Sequence, residues 1–224
     1  MKGVLQKKPP LPKYQFSWDL DLVLKYLETL PINRKLTLSV LGKKLAILLA
    51  LAVPKRASEI ARLDRRFMSK KKNSVKFDLR GLSKTQKNCK HRLVKYFKFS
   101  KKKLCVVSCL NKYETRTQQM RPAEKSDPDP LLRSTRKPFK GLSPQTVGNW
   151  IKWILKKAGI DIAKFQAHSC RMVSTCKAAN GGVNIDDILS MADWSNTRTF
   201  EKFYFRTAEK MDFADKVLTM VSWL

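Results

Sequence analysis

The sequence predicts a mostly α-helical domain that carries one small antiparallel β-hairpin. Residues 38–53 are apolar on nearly every side, which is typical of a helix buried in the middle of a domain. Alternation of apolar and polar residues, the pattern of a β-strand, is partial and is found at residues 75–79 and 93–99. These two strands are short and lie close in sequence, so they predict a hairpin rather than a large sheet.

Caps and helix breakers delimit the remaining helices. A first helix is predicted over residues 17–30, with Ser17 as its N-cap. Residues 145–158 follow the N-cap and first-turn proline of Ser143-Pro144 and precede Gly159, a residue type that often ends helices. Apolar spacing and terminators predict further helices at residues 57–63, 105–117, 169–180, 185–191, 197–204 and 208–218.

Two segments lack any helical pattern. Residues 1–16 contain Lys7-Lys8-Pro9-Pro10, which predicts a basic arm or linker that precedes the folded domain. Residues 121–140 are rich in Pro, Arg, Lys and Asp. They predict a long connection with one short strand near Leu131-Leu132.

Charge is the most unusual property of the chain as a whole. Its 224 residues include 47 Lys or Arg against 18 Asp or Glu, which gives a formal net charge of +29. Such an excess favours a polyanionic partner, nucleic acid first, because each neutralised phosphate releases condensed counterions. Charge alone leaves open a membrane surface, heparin or ribosomal RNA. The hydrophobic content of 43% is enough for a core, which excludes a disordered basic tail.

Neither a membrane segment nor a metal site is predicted. The longest apolar run, residues 45–53, is too short to span a bilayer, and the N-terminus lacks the pattern of a signal peptide, so we expect a soluble, intracellular protein. The five cysteines follow no disulfide framework and predict reduced thiols. Cys89, His91, Cys105 and Cys109 lack the paired spacing of zinc ligands, so we expect no bound metal.

Two short polar segments stand out against this helical background. Arg56-Ala-Ser-Glu59 lies where the buried helix breaks, and His168-Ser-Cys-Arg171 is followed along the chain by Trp194 and Tyr204. Each has an ordinary explanation when taken alone. The charged ends of the first segment can form a surface pair worth a few tenths of a kcal/mol. The histidine can be a core residue with satisfied hydrogen bonds, and the two aromatic residues can be packing.

Taken together and in order, these segments resemble the active site of tyrosine recombinases, the integrase-like enzymes that cut and rejoin DNA through a phosphotyrosine. The resemblance extends over residues 36–218. The amino-acid sequences of residues 82–85, 167–171 and 194–204 are most similar to those of the recombinases of eukaryotic Crypton and DIRS mobile elements. The resemblance implies the DNA breaking-rejoining fold of the family's catalytic domain, which we expect to occupy residues 17–224.

The resemblance assigns a role to five residues of the two segments and their surroundings. Arg56 and Arg171 neutralise the negative charge on the nonbridging oxygens of the attacked phosphate. His168 and Trp194 donate further hydrogen bonds, and His168 is also a candidate acceptor of the tyrosine proton. Glu59, one helical turn after Arg56, orients that arginine or His168.

The resemblance also implies the nucleophile and the general acid. Tyr204 attacks the phosphate and leaves a 3′-phosphotyrosyl strand, which conserves the bond energy for religation. Lys84, in the loop between the two strands, protonates the departing 5′ oxygen, with Lys87 and Lys90 as alternatives in the same loop. No metal ion and no nucleotide cofactor is required for this chemistry.

The sequence departs from the family pattern at three places. Tyr204 stands one residue further along the chain than in bacterial and phage members, a spacing that the eukaryotic elements share. Pro54 lies near a position that is often glycine, and Asp193 replaces the glycine commonly found before the Trp194 position. These changes affect loop geometry and remove no reactive group.

The function implied is that of a site-specific recombinase or integrase that integrates or excises a mobile DNA element. Its partner is double-stranded DNA, on which the family assembles as a homo-tetramer, a dimer of dimers. An apolar stripe after the nucleophile, at residues 213–220, is a candidate for subunit contact. We expect the family's N-terminal clamp domain to be absent or reduced, and location in the nucleus if the source is eukaryotic.

Three alternative functions remain open at this point. A type IB topoisomerase shares the tyrosine chemistry and relaxes supercoils, but that family generally has lysine where His168 stands. A non-catalytic DNA-binding descendant of a recombinase would have no physical need for His168 or Tyr204. A ribosomal RNA-binding protein explains only the charge.

Overall fold

The computed structural model describes residues 17–80, 92–124, 127–194, 197–198 and 200. The α-helices in these ranges are α1 (Leu20–Thr29), α2 (Leu38–Ala52), α3 (Ala57–Ala61), α4 (Val106–Thr117), α5 (Pro144–Lys157), α6 (Ser169–Asn180) and α7 (Ile185–Ala192). The strands are β1 (Met68–Lys71), β2 (Ser74–Leu79) and β3 (Arg92–Phe97). Single 3-10 turns occur at Arg65–Phe67 and Gln118–Met120. The prediction of a mostly helical fold is confirmed.

Helix α2 forms the centre of the core, as its largely apolar sequence predicts. It packs against α4, α5 and α6, and its residues 44–50 are all buried. Gly42 lies against side chains of two of these neighbours: a Cβ atom there would be 2.6 Å from the Trp150 ring and 3.2 Å from the Tyr113 ring. The side chains of α4 and α5 therefore occupy space that any larger residue at this position would need.

The three strands form one antiparallel sheet in the order β1-β2-β3. Val75 pairs with Tyr96 and Phe77 with Val94, and these apolar residues point into the core. The predicted hairpin of β2 and β3 is therefore confirmed, although β3 ends at Phe97 rather than at residue 99. Strand β1 was not predicted, because its sequence Met-Ser-Lys-Lys is largely exposed and has no apolar alternation.

Several helix boundaries match their predicted caps. Helix α5 begins after Ser143, whose hydroxyl accepts a hydrogen bond from the Thr146 amide at 3.1 Å. Helix α6 has the predicted bounds, and α7 extends one residue beyond its predicted end. Residues 197, 198 and 200 are helical, in agreement with the predicted start of the next helix.

Two local predictions are wrong. The N-cap of α1 is Asp19 rather than Ser17, because the Asp19 carboxylate accepts a hydrogen bond from the Asp21 amide at 2.8 Å. No strand is present at Leu131-Leu132; only the single bridges Asp64–Pro130 and Arg133–Gly141 occur beside it. Proline at position 130 has no amide hydrogen, so a strand ladder cannot continue through it.

Some predictions concern residues outside the described ranges. They are the basic arm at residues 1–16, the loop with Lys84, Lys87 and Lys90, the second half of the helix at 197–204, and the helix at 208–218. Within the described ranges, no helix combines the length and apolarity needed to cross a membrane.

The close packing around Gly42 gives a first prediction. Gly42→Ala should destabilise the protein by about 1–3 kcal/mol, because overpacking against Trp150 and Tyr113 outweighs the gain in helix propensity. Gly148→Ala in α5 is the matched control. Its new methyl group would lie 3.8 Å from the Ala167 Cβ, an ordinary contact, so it should stabilise the protein by up to about 1 kcal/mol. Urea unfolding of both variants measures the two changes, and shifts of the same sign would contradict this packing.

Candidate active site around a buried carboxylate

Helix α3 places Glu59 in the interior directly after a sharp break in the chain. Helix α2 ends at Ala52, and Pro54 prevents its continuation. The Glu59 carboxylate then accepts a hydrogen bond from the backbone amide of Arg56 at 2.8 Å, which caps the first turn of α3. Glu59 is only 1% exposed. Arg56 and Glu59 therefore do not form the exposed surface ion pair that was the alternative interpretation of their spacing.

Three guanidinium groups surround the Glu59 carboxylate. Nη1 of Arg92, at the start of β3, donates to Oε1 at 2.6 Å. Nη1 of Arg56 lies 3.7 Å from Oε1, and Nη1 of Arg171, in α6, lies 3.9 Å from Oε2. The last two distances are those of ion pairs without a direct hydrogen bond. Side chains from one helix, the α2–α3 turn and one strand thus converge on one carboxylate in α3.

The charge of Glu59 is maintained by these neighbours. Burial raises the pKa of its carboxyl, because a charged group loses its hydration. Hydrogen bonds from the Arg56 amide and the Arg92 guanidinium, together with the charges of Arg56 and Lys55, lower it by more. The pKa of Glu59 therefore lies below its ordinary value, and the group is an anion at neutral pH.

Arg171 is held from two sides by the end of helix α7. Its Nη2 donates to the carbonyl oxygen of Ala192, the last residue of α7. The Trp194 ring lies over the same guanidinium, with the ring centroid 4.6 Å from its central carbon, a cation–π arrangement. The Phe200 ring packs against the same indole, with ring centroids 5.5 Å apart. Arg171 is 1% exposed, and its orientation is fixed by these contacts.

His168 lies at the N-terminal end of α6 and is exposed. Its carbonyl oxygen accepts from the Arg171 amide at 3.1 Å, so the two residues are one helical turn apart. The next residue, Ser169, fixes this helix end: its hydroxyl accepts from the Trp18 indole at 2.8 Å and donates to the Gln166 carbonyl at 2.7 Å. The start of α6 is thereby attached to the segment that precedes α1.

Three charged residues of the cluster, Lys55, Arg92 and Asp193, were not among the predicted site residues. Lys55 Nζ lies 2.5 Å from Asp193 Oδ2, and Nη1 of Arg92 lies 3.2 Å from the same oxygen. Arg92 follows a run of basic residues in the sequence, so its burial had no distinguishing signal. Asp193 did have a distinguishing signal in the sequence, because it replaces the glycine commonly found at this place in the family that the sequence resembles.

The structure brings together Arg56, Glu59, Arg171 and Trp194 of the predicted site, with His168 at the N-terminus of α6. Lys84 and Tyr204 lie outside the described residues. The cluster contains four cations, Lys55 among them, and two carboxylates, Glu59 and Asp193. Its described part therefore has two positive charges in excess and can bind an anionic group such as a phosphate.

Solved structures with the same architecture are DNA recombinases. The XerH site-specific recombinase, bound to its difH substrate after cleavage, is similar with a TM-score of 0.66 and 13% identity over 95% of this chain and 54% of XerH. XerA recombinase gives 0.60 and 17% identity over 96% and 66%. The Tn1549 transposon integrase, in complex with transposon right end DNA, gives 0.63 and 14% identity over 98% and 70%. The chain thus has the fold of a tyrosine recombinase catalytic domain and spans about half the length of XerH.

The sequence itself carries the family assignment. The model of the phage integrase family matches residues 24–211, which is most of the chain. No curated protein matches the chain in sequence. The chain belongs to the phage integrase family.

The ionised state of Glu59 gives a second prediction. At neutral pH, Glu59→Gln should destabilise the protein by about 3–5 kcal/mol, because it removes the buried negative charge that faces the buried Arg92 and Arg171. Since the pKa of Glu59 is lowered by folding, its contribution is present above the ordinary value of 4.5 and is lost as pH falls through the folded value. The stability difference between wild type and variant should therefore narrow as pH falls below 4.5.

Urea unfolding of both proteins between pH 7 and pH 3 measures this difference. Asp129, the other carboxyl among the described residues with a lowered pKa, is present in both proteins, so its titration cancels. A difference that stays constant across this pH range would show that the Glu59 charge is not what holds the cluster.

Proposed function

We propose that this chain is the catalytic part of a mobile-element recombinase that cuts and rejoins double-stranded DNA through Tyr204. The observation that carries the proposal is the convergence of Arg56 and Arg171 on the buried carboxylate of Glu59. Two guanidiniums held beside one anion are ready to receive a second anion, the DNA phosphate. Membership of the phage integrase family supports the same reaction.

Arg56 and Arg171 are proposed to clamp the nonbridging oxygens of the attacked phosphate. Negative charge accumulates on these oxygens in the transition state, and forked hydrogen bonds from guanidiniums stabilise it. Because Glu59, Trp194 and the Ala192 carbonyl already orient the arginines, little reorganisation is needed when DNA binds. His168 is close enough in the chain to donate a further hydrogen bond from the start of α6.

The proposed reaction exchanges one phosphate ester for another. The Tyr204 phenolic oxygen forms a bond to phosphorus as the bond from phosphorus to the 5′ oxygen breaks, which leaves a 3′-phosphotyrosyl strand. His168 accepts the phenol proton, and Lys84 donates a proton to the 5′ oxygen. Religation is the reverse reaction with the 5′ hydroxyl of a new strand. The number of ester bonds is unchanged, so the exchange requires no external energy source.

Double-stranded DNA is the proposed partner, supported by the net charge of +29 and by exposed lysines such as Lys71 and Lys72. The solved XerH structure contains its difH substrate, and the solved Tn1549 integrase structure contains transposon right end DNA. Exchange between two duplexes, each cut in both strands, requires four nucleophiles. We therefore propose that four copies of the chain assemble on recombining DNA.

The proposed nucleophile gives a third prediction. Tyr204→Phe should abolish the covalent protein–DNA adduct on a nicked suicide duplex, because the phenol oxygen is the attacking atom. DNA affinity should be nearly unchanged, since one hydroxyl contributes little beside many phosphate contacts. Denaturing gel electrophoresis measures the adduct, and Tyr26→Phe in α1 is the control that loses a hydroxyl elsewhere. An adduct of normal yield with Tyr204→Phe would contradict the proposal.

The proposed general acid gives a fourth prediction. Lys84→Ala should cleave ordinary DNA about 10²–10⁴-fold more slowly, because the 5′ oxygen then leaves without a proton. When sulfur replaces that oxygen, the leaving thiolate needs no proton, so Lys84→Ala should cleave at close to the wild-type rate. Single-turnover cleavage of both substrates measures the rescue.

Two variants serve as controls for this rescue. Arg171→Ala should remain slow on both substrates, because the sulfur does not replace charge neutralisation on the nonbridging oxygens. Lys87→Ala tests a neighbouring lysine of the same loop and should cleave both substrates at normal rates. If Lys84→Ala is equally slow on both substrates while Lys87→Ala shows the rescue, the general acid is Lys87.

A further inference from the structure

Asp193 combines a strained backbone with a charge in the interior of the cluster. It ends helix α7 in the left-handed conformation, with φ of 51° and ψ of 45°. Among L-residues, asparagine and aspartate adopt this conformation occasionally, and glycine alone adopts it at no cost, because a Cβ atom approaches the following carbonyl. An aspartate therefore needs compensation that a glycine would not need.

The compensation comes from two cations of other elements. Asp193 Oδ2 accepts from Lys55 Nζ at 2.5 Å and from Arg92 Nη1 at 3.2 Å. The side chains of Lys55 and Arg92 are only 5% and 4% exposed. These contacts attach the end of α7 to the turn before α3 and to the start of β3.

The residues on either side of Asp193 both contact Arg171. The carbonyl of Ala192 accepts from its Nη2, and the ring of Trp194 covers its guanidinium. The Asp193 carboxylate attaches this three-residue segment to Lys55 and Arg92, which belong to other elements of the cluster. Movement of this carboxylate would move both groups that orient Arg171.

We propose that Asp193 is a positioning residue that sets Trp194 and the Ala192 carbonyl against Arg171 through its ion pairs with Lys55 and Arg92. The effect on DNA cleavage rests on the proposed recombinase function, whereas the effect on Trp194 does not. In this proposal Asp193 acts through Arg171 and not directly on a reacting atom. It acts by keeping the phosphate-binding arginine in one orientation.

Two substitutions separate the charge of Asp193 from its backbone conformation. Asp193→Asn keeps the size and tolerates the left-handed conformation but removes the charge. Asp193→Gly relieves the backbone strain and removes the side chain, so it should fold even if the asparagine variant is unstable. Asp187→Asn removes the same charge from the exposed first turn of α7 and serves as the control.

The first readout is the position of Trp194 in the full chain without DNA. Nitrogen-15 NMR resolves the indole N–H signals of the five tryptophans, and Trp194→Phe assigns the one of interest. Both Asp193 variants should shift or broaden the Trp194 signal and leave those of Trp18, Trp150 and Trp153 in place. Asp187→Asn should change none of them. An unchanged Trp194 signal in both Asp193 variants would overturn the proposal.

The second readout is single-turnover cleavage of a nicked duplex. Asp193→Asn should slow the cleavage step roughly 10- to 100-fold with little change in DNA affinity, because a small misplacement of a positioned group has effects of this order. On a duplex whose attacked phosphate carries a methyl group in place of one nonbridging oxygen, the charge that Arg171 neutralises is absent. The defect should then largely disappear.

The outcomes distinguish this proposal from the proposed function. An equal defect on both duplexes would overturn the route through Arg171. If the wild-type chain forms no adduct, the recombinase function fails, and the NMR experiment still decides whether Asp193 positions Trp194. A large loss of DNA affinity with normal cleavage would assign Asp193 to DNA binding and overturn the positioning role.

Discussion

The ion pairs of the buried Glu59 carboxylate are the constraint on which the site depends. Arg56, Arg92 and Arg171 would repel one another at these distances without an anion between them. A carboxylate in the same place without its cations would lose hydration and become neutral. The three arginines and the buried carboxylate are therefore stable only in the presence of each other. The described cluster keeps an excess of positive charge, which suits the phosphate that is proposed to bind there.

The helical core makes this cluster possible by fixing the elements that supply it. Helix α2 packs against α4, α5 and α6, and its break at Pro54 starts the turn into α3. Helix α3 is one turn and a half long and has little stability of its own. Its packing against α5 and its cap by Glu59 hold it in place. Pro54, which ends the core helix α2, therefore also determines where the segment that carries Arg56 and Glu59 begins.

Sequence reasoning succeeded where the signal was local. The helix bounds of α5 and α6 follow from Ser143, Pro144 and terminal glycines, and the pairing of β2 with β3 follows from alternation. Arg56, Glu59 and Arg171 were identified from a motif order, and the structure brings them together. The exposed strand β1 had no apolar pattern and was missed.

Sequence reasoning failed where a contact depends on residues far apart in the chain. Lys55 and Arg92 lie among many other basic residues, and only the tertiary structure shows that they are buried beside Asp193. Asp193 was recognised as a departure from the family, but its partners were not. The roles of Lys84 and Tyr204 stay predictions, because both residues lie outside the described ranges.

The most direct measurement is a crystal structure of the chain trapped on a nicked DNA duplex. If Glu59 holds the arginines ready for one phosphate, then the guanidiniums of Arg56 and Arg171 will both lie about 3 Å from oxygens of the same phosphate. The hydrogen bond between Arg92 and Glu59 will be retained in that complex. Arginines bound to different phosphates, or a phosphate that contacts neither of them, would contradict a site organised around this carboxylate.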